Sequence, residues 1–384
     1  MNSHPIMMPV LQLLSHDAAG LMFAAIIGVI GGLFLWRHWR KLGAGIIVTV
    51  LFLAAGSIIH LLNAASLARE NPAPGRFVEI AGMQIHVLAE GSSAAGRPTI
   101  VWFGGAHTGG AAMSHLHRMM KGEFRSVLID RPGTGWSGIA SFPRTTAAEA
   151  DEMWQVLAAA GERGPFVLVG HSFGGLLAVN MARRAPNRVA ALVLLDATPP
   201  DVIVYGPNLG AAQLSWQAFQ AGVAQLFGID LETLGSGPRP VGPLEKIIAA
   251  QLGRQGEILK AQSKLPRAQM AGASIYSELS AAGMAKDAWN MTVYDGELDD
   301  MPVYLVAPDT LPPAASLPKT SAREQERLLN LLKRGRERYM AVSDRSQRII
   351  APPGTGHNFI YEAPQTVIDA VHQAAGQQPV PASP

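Results

Sequence analysis

The five residues Gly170-His-Ser-Phe-Gly174 carry the clearest chemistry in this chain. A serine hydroxyl is nearly inert at neutral pH until a base takes its proton during attack, so a nucleophilic Ser172 calls for an imidazole. Its surroundings single it out. Residues 166–169 are apolar and β-branched and read as a buried strand, while residues 176–184 carry a helical pattern, so the serine stands on a strand-to-helix turn. Such a turn brings the backbone two residues before and two after the serine too close for side chains. Gly170 and Gly174 meet that need.

Further stretches follow in order. Thr99-Ile-Val-Trp-Phe-Gly-Gly-Ala-His107 is a short apolar strand running into a glycine-rich loop. Asp130-Arg-Pro-Gly-Thr-Gly-Trp-Ser137 is a turn-rich loop after the next strand, and Gly354-Thr-Gly-His-Asn358 carries a histidine between loop residues. Together with the serine turn, these stretches resemble the α/β-hydrolase fold family, as a serine hydrolase of the AB hydrolase-1 type. The resemblance runs from about Gly75 to Gln373. It implies an α/β fold: a mostly parallel central sheet with flanking helices and a helical cap, here preceded by an N-terminal transmembrane helical hairpin. It also makes the serine turn a nucleophile elbow.

The family's roles carry over residue by residue. Ser172 becomes the nucleophile and His357 the general base. The backbone N–H groups of Ala106 and Phe173 become the oxyanion hole, where one preorganised donor is worth roughly 3 to 4 kcal/mol in the transition state. The family often starts this loop with His-Gly, and this chain has Gly104-Gly105 instead, which keeps the amides but removes a bracing side chain. Two aspartates are candidates for the acid that orients the histidine. In most members it follows the strand corresponding to residues 301–307, but Asp309 comes early and lacks the usual Gly-x-x-Asp turn. In a minority it follows the preceding strand, at Asp196. The words Leu192-Val-Leu-Leu-Asp-Ala-Thr-Pro-Pro200, Pro143-Arg-Thr145 and Val342-Ser343 resemble a bacterial subgroup that often lacks the later aspartate. Asp196 is therefore the first choice and Asp309 the runner-up. His171 reads as a packing and bracing residue, His107 as a loop residue near substrate or without a role, and Asp130 as a structural turn residue.

The implied reaction is cleavage of a carboxylic ester or related acyl bond through an acyl-enzyme on Ser172, with a small-molecule ester or acyl substrate as partner. A peptidase or amidase and an acyltransferase use the same triad. A different class altogether is a non-catalytic small-molecule binding or sensory module, because fold does not dictate function. Dehalogenases and epoxide hydrolases of this fold use a carboxylate nucleophile, against which Ser172 argues. No H-E-x-x-H or comparable motif occurs, so neither a metal nor another cofactor is expected.

Composition adds a membrane. The 384 residues are 48% hydrophobic and only 16% charged, a low charge density for a wholly soluble chain. Residues 18–36 are apolar without a charge, and residues 42–68 are interrupted only by Thr49, Ser57, His60, Asn63 and Ser66. Each stretch is long enough to cross a bilayer as a helix, so the lipid bilayer is an expected partner. A cleaved signal peptide would begin with a basic segment, yet no Lys or Arg precedes Arg37. The basic turn Arg37-His-Trp-Arg-Lys41 between the two spans predicts a cytoplasmic turn, and hence a hydrolase domain facing outward from a bacterial inner membrane. The net charge of +2 carries no dense basic stripe, which speaks against nucleic acid. The absence of cysteine excludes disulfides and thiol catalysis.

These readings divide the chain into two membrane helices within residues 1–68 (about 18–36 and 42–68), a linker at 69–76, a core at 77–200 and 301–376, a helical cap at 201–300 and a tail at 377–384. Alternating segments around Ala81-Gly-Met83 predict a hairpin. Residues 145–160 read as an amphipathic helix with Thr146 and Glu149 placed for capping. In the cap, helical segments are expected at 211–226, 243–264 and 274–286. The Glu- and Arg-rich residues 321–342 read as a largely solvated helix.

Overall fold

The computed structural model describes residues 4–35, 40–92, 96–139, 144–205, 209–229, 242–275, 296–312 and 321–376. In chain order its helices are α1 (His4–Leu14), α2 (Ala19–Leu35), α3 (Arg40–Glu70), α4 (Ser114–Met120), α5 (Thr146–Ala159), α6 (Phe173–Arg184), α7 (Pro200–Tyr205), α8 (Leu209–Leu226), α9 (Pro243–Leu252), α10 (Arg254–Ser263), α11 (Pro266–Ser274), α12 (Ala322–Ala341), α13 (Phe359–Glu362) and α14 (Pro364–Gly376). The strands are β1 (Arg76–Ile80), β2 (Met83–Glu90), β3 (Thr99–Phe103), β4 (Ser126–Ile129), β5 (Phe166–His171), β6 (Val189–Leu195), β7 (Val303–Pro308) and β8 (Ser346–Ala351).

The strands form one eight-stranded sheet in the order β1-β2-β4-β3-β5-β6-β7-β8. The first two are antiparallel, joined by a tight turn with positive φ at Ala81 and Gly82, and the other six run parallel. Strands β3 to β7 are buried along their whole length, as continuous apolar runs require when helices cover both faces. Alternate residues feed two cores. Val101, Phe103 and Leu168 pack with Met153, Trp154 and Leu177 from α5 and α6, while Ile100, Trp102 and Val169 pack with Leu116, Val367 and Val371 from α4 and α14. Each fully buried side chain of this size contributes about 1.5–3 kcal/mol.

The chain leaves β3 toward β4 on one side and reaches β5 on the other side of β3. The crevice beyond the carboxyl ends of β3 and β5 is thus the point where the strand order reverses, the usual place for a ligand in an open parallel sheet.

Three details differ from expectation. The α5 cap is Thr145, whose hydroxyl accepts from the Ala148 amide at 3.1 Å, and not Thr146. Glu149 does not cap either; it is buried between two arginines, an ionic use that helix periodicity does not show. The 243–264 segment is split into α9 and α10 at Gly253, which has φ +55. Most of the expected 274–286 helix, much of the basic turn around residues 37–41, and the 377–384 tail lie outside the described residues.

Of the two expected spans, the stretch Leu42–Glu70 within α3 is long and apolar enough to cross a membrane, with a mean hydropathy of 2.4 over an 18-residue window of it. The apolar part of α2 is shorter, Ala19–Gly32. Val48, Leu51, Phe52 and Leu62 on α3 are all exposed. The chain also opens with α1, whose Leu11 packs against Ala218, Met270 and Ala273 of the helices between β6 and β7.

Candidate active site

Ser172 stands between β5 and α6, as the N-cap of α6, with φ 54 and ψ −124, a conformation that L side chains rarely adopt. The backbone holds it there by close approach. A methyl at Gly170 would meet the Gly174 carbonyl oxygen at 2.2 Å, and one at Gly174 would meet the Phe103 carbonyl oxygen at 2.4 Å. The Ser172 hydroxyl lies 3.4 Å from that of Thr198.

The loop after β3 lies alongside. A Cβ built on Gly105 would stand 3.6 Å from the Ser172 Cβ, so the Gly104–Ala106 backbone passes directly by the serine. Phe173 opens α6, and amides in a helix's first turn have no intrahelical acceptor.

The orientation of that loop has a visible cause. The Arg131 guanidinium, buried below the loop, donates to the carbonyl oxygens of both Gly105 and Ala106, the latter at 2.6 Å. In a trans peptide the carbonyl and the following N–H point opposite ways. Pulling the Gly105 carbonyl toward Arg131 therefore turns the Ala106 N–H away from it. The same guanidinium lies 4.9 Å from the centre of the Phe173 ring and donates to Glu149 Oε1 at 2.9 Å. Arg144 Nε donates to Glu149 Oε2 at 3.0 Å. Burial works to raise the Glu149 pKa, but the Arg144 and Arg131 charges overcome it and hold the carboxyl below the usual range.

Asp196 lies at the end of β6 with φ 40, and its carboxylate is shared. Oδ2 accepts from His357 Nδ1 at 2.7 Å, and Oδ1 accepts from Arg336 Nη2 at 2.9 Å. Burial works to raise the Asp196 pKa; the His357 hydrogen bond and the Arg336 charge overcome it and hold the carboxyl below its ordinary value. His357 reaches this carboxylate from the loop after β8 and remains half-exposed. Asp309 is not part of this group: its side chain is 69% exposed and pairs with Arg348 at 3.5 Å.

His171 points away from any base role. Its Nε2 donates to the His357 backbone carbonyl at 2.9 Å, its ring lies 4.6 Å from the His357 ring, and burial lowers its pKa to about 3, with the His357 charge adding to the effect. His107 is exposed, against Gly272 of α11. Asp130 is buried as a turn residue, accepting from the amides of Gly110 and Trp136 and from His86. Among the described residues, no group of three His, Asp or Glu side chains is placed to hold a metal ion.

Two residues of this site escaped the sequence reading. Arg131 sits in the turn-rich loop after β4, but its side-chain partners are eighteen or more residues away, and Arg336 lies in a helix whose composition reads as solvated. Only the two-sided pairing of each carboxylate could have pointed to them.

Comparison with known proteins agrees with this architecture. The profile of a family described by its alpha/beta hydrolase fold matches residues 106–236. This chain has the α/β-hydrolase fold. The Cif epoxide hydrolase from Acinetobacter nosocomialis superposes with a TM-score of 0.56 at 14% identity, over 84% of this chain and 96% of that one. A thermophilic esterase from Thermogutta terrifontis superposes with a TM-score of 0.50 at 18% identity, over 78% of this chain and 97% of that one. Among curated sequences, the protein YbdG of Bacillus subtilis is 24% identical over 191 residues, 48% of this chain. The chain spans 57% of that relative's length.

Proposed function

We propose that this chain is a membrane-anchored serine hydrolase that cleaves a carboxylic ester or related acyl bond. The observation that carries the reading is the His357 Nδ1 to Asp196 Oδ2 contact of 2.7 Å, made at the same edge of the sheet as the elbow serine. In this reading Ser172 Oγ attacks the substrate carbonyl carbon while His357 Nε2 takes the hydroxyl proton. Asp196 accepts from Nδ1–H throughout, which fixes the tautomer and stabilises the imidazolium. The carbonyl oxygen, now negative, is held by the Ala106 and Phe173 amides. Collapse of the tetrahedral adduct expels the alcohol, which receives its proton from His357, and leaves an acyl-serine. Water, deprotonated by His357, attacks that ester and the acid departs. An amine or a second alcohol in place of water would make the same site an amidase in reverse or an acyltransferase.

An epoxide substrate is disfavoured, since the family's epoxide hydrolases attack with a carboxylate and this chain presents Ser172. Residues 201–300 serve as the cap over the nucleophile, and residues 77–200 with 301–376 as the catalytic core. The apolar helices α2 and α3 would hold the chain in a bacterial inner membrane with the hydrolase domain outward. The test of the chemistry is a fluorophosphonate probe on the full chain: it should label the native protein and leave Ser172→Ala unlabelled. Equal labelling of the two ends the proposal.

A further inference from the structure

Near its C-terminal end, α3 turns polar on one face. His60 and Asn63 lie there with Ala64 and Leu67, at the i, i+3, i+4, i+7 spacing of a single helix stripe. They face α8, which presents Gln217, Gln220 and Gln225, and the start of α11, which adds Gln269. Between these helices is a cavity of about 590 Å³. The helices are held close: a methyl at Gly56 would meet the Leu226 carbonyl oxygen at 2.6 Å.

Gln225 puts an unsatisfied polar group into the cavity wall. It is only 4% exposed. Its Nε2 donates to the backbone carbonyls of Leu14 and His16, while its Oε1 has no hydrogen-bond partner. Buried amide oxygens are rarely left without an O–H or N–H. Among the described residues, the rest of the lining is rich in amides, which donate and accept alike, and includes no carboxylate; Lys264 is its one permanent cation there. A phosphate would call for a guanidinium or several cations, so the chemistry favours an uncharged, hydroxyl-bearing group. Apolar surface adjoins it. Ile59 and Leu62 are exposed on the neighbouring stripe of α3, and Trp216, Phe227 and Ile229 are exposed at α8 and just beyond it. His60 stands about 15 Å from the end of α3 by helix rise, which is head-group depth for a helix that spans a bilayer.

We propose that this cavity binds the uncharged, polyhydroxyl head group of a single-chain membrane amphiphile of the monoacylglycerol type, with its acyl chain along Ile59 and Leu62. The inference rests on the ester-hydrolase and membrane readings above for the ligand's being an acyl ester drawn from a bilayer. It also explains how the ligand would stand near the catalytic site: three residues beyond Gln269 on α11, Gly272 lies against His107 of the oxyanion loop.

The probe is a 1-O-alkyl glycerol ether bearing a diazirine in its chain, which has no ester to cleave. Full-length protein in phosphatidylcholine vesicles is irradiated and digested. Label is expected on peptides containing residues 60–67, 217–229 or 264–269, and equally in Ser172→Ala, so a failed catalytic reading leaves this result intact. Labelling should fall about tenfold in Asn63→Leu/Gln220→Leu, from loss of two hydrogen bonds. Competition on the native protein needs no variant: unlabelled alkyl glycerol should remove the label, and equal phosphatidylglycerol should not. Carbonate washing of the vesicles reads anchoring separately, and repeating the labelling in neutral detergent micelles reads the cavity without a bilayer. Label spread along α2 and α3 outside these peptides, an unchanged signal in the double variant with native folding, or equal competition by phosphatidylglycerol would overturn the proposal.

Discussion

Arg336 and His357 hold opposite oxygens of one carboxylate, Arg336 at 2.9 Å from Asp196 Oδ1 and His357 at 2.7 Å from Oδ2. The guanidinium thereby fixes the plane in which Oδ2 meets the imidazole. Asp196→Asn should lower kcat by about 10⁴-fold, as removal of the acid does in the Ser-His-Asp template, while Asp309→Asn should stay near native. Arg336→Met should fall between, at about tenfold, because one charge-assisted hydrogen bond is lost and the carboxylate remains. Steady-state kinetics on p-nitrophenyl butyrate, with folding checked by circular dichroism, decides the order. A dead Asp309→Asn beside an active Asp196→Asn reverses the assignment.

Arg131 separates loop geometry from stability. Arg131→Met removes the donor that the Gly105 and Ala106 carbonyls share; if that loop holds the oxyanion as proposed, kcat should drop by about 10²-fold or more with little change in KM. It also takes one of Glu149's two arginine partners, and breaking such a buried pair costs about 3–5 kcal/mol. The double variant Arg131→Met/Glu149→Met should recover part of that stability and none of the rate. Recovery of kcat in the double variant would show that Arg131 acts through folding alone.

Acid should destabilise this fold before its carboxylates titrate. Burial lowers the pKa of His171 to about 3 and that of His115 to about 4, whereas both titrate near 6.5 in the unfolded chain. Between those limits the unfolded chain binds more protons, so stability is full above about pH 6.5 and declines as pH falls toward 4. Asp196 and Glu149 work in a lower window: their depressed values add stability that is lost only as pH drops below the ordinary carboxylate range. Urea midpoints measured from pH 8 to 4 should fall, and His171→Asn should flatten part of the slope. A flat profile contradicts the neutral, buried state of both histidines.

Shortening the chain tests how far the N-terminal helices belong to the fold. A chain beginning at Asn71 uncovers Ala218, Met270 and Ala273, which Leu11 now covers, and frees Arg254 from the Glu70 carbonyl. It should therefore need detergent to remain monomeric, although the sheet and its two cores are untouched. Gel filtration with and without detergent checks this; a monodisperse, detergent-free protein would show that these contacts add little.

What could be read beforehand followed local rules. The glycines around Ser172, the buried strands and the Ala81-Gly82 turn each announce themselves within a few residues. The carboxylate that pairs with His357 does not, because Asp196 and Asp309 both follow buried parallel strands, and only the path of the β8 loop brings His357 to one of them. Arg131, Arg336 and Glu149 were illegible for a related reason: a charged residue in a loop or a helix pattern does not announce a buried partner, here up to 140 residues away in sequence. Helix α1 carries Pro9 inside it and is held by tertiary contacts rather than by propensity.

The positive φ angles of Ser172 and Asp196 have a bearing on how this protein could change over time. Both residues occupy backbone regions that glycine enters freely and that cost other residues about 1–3 kcal/mol. Ser172→Gly should therefore unfold at higher urea than the native chain, while Ser172→Ala, which keeps the Cβ, should gain little. Selection for robustness alone would erode the proposed nucleophile first, so in the proposed reading only a continuing demand for turnover would keep a serine there.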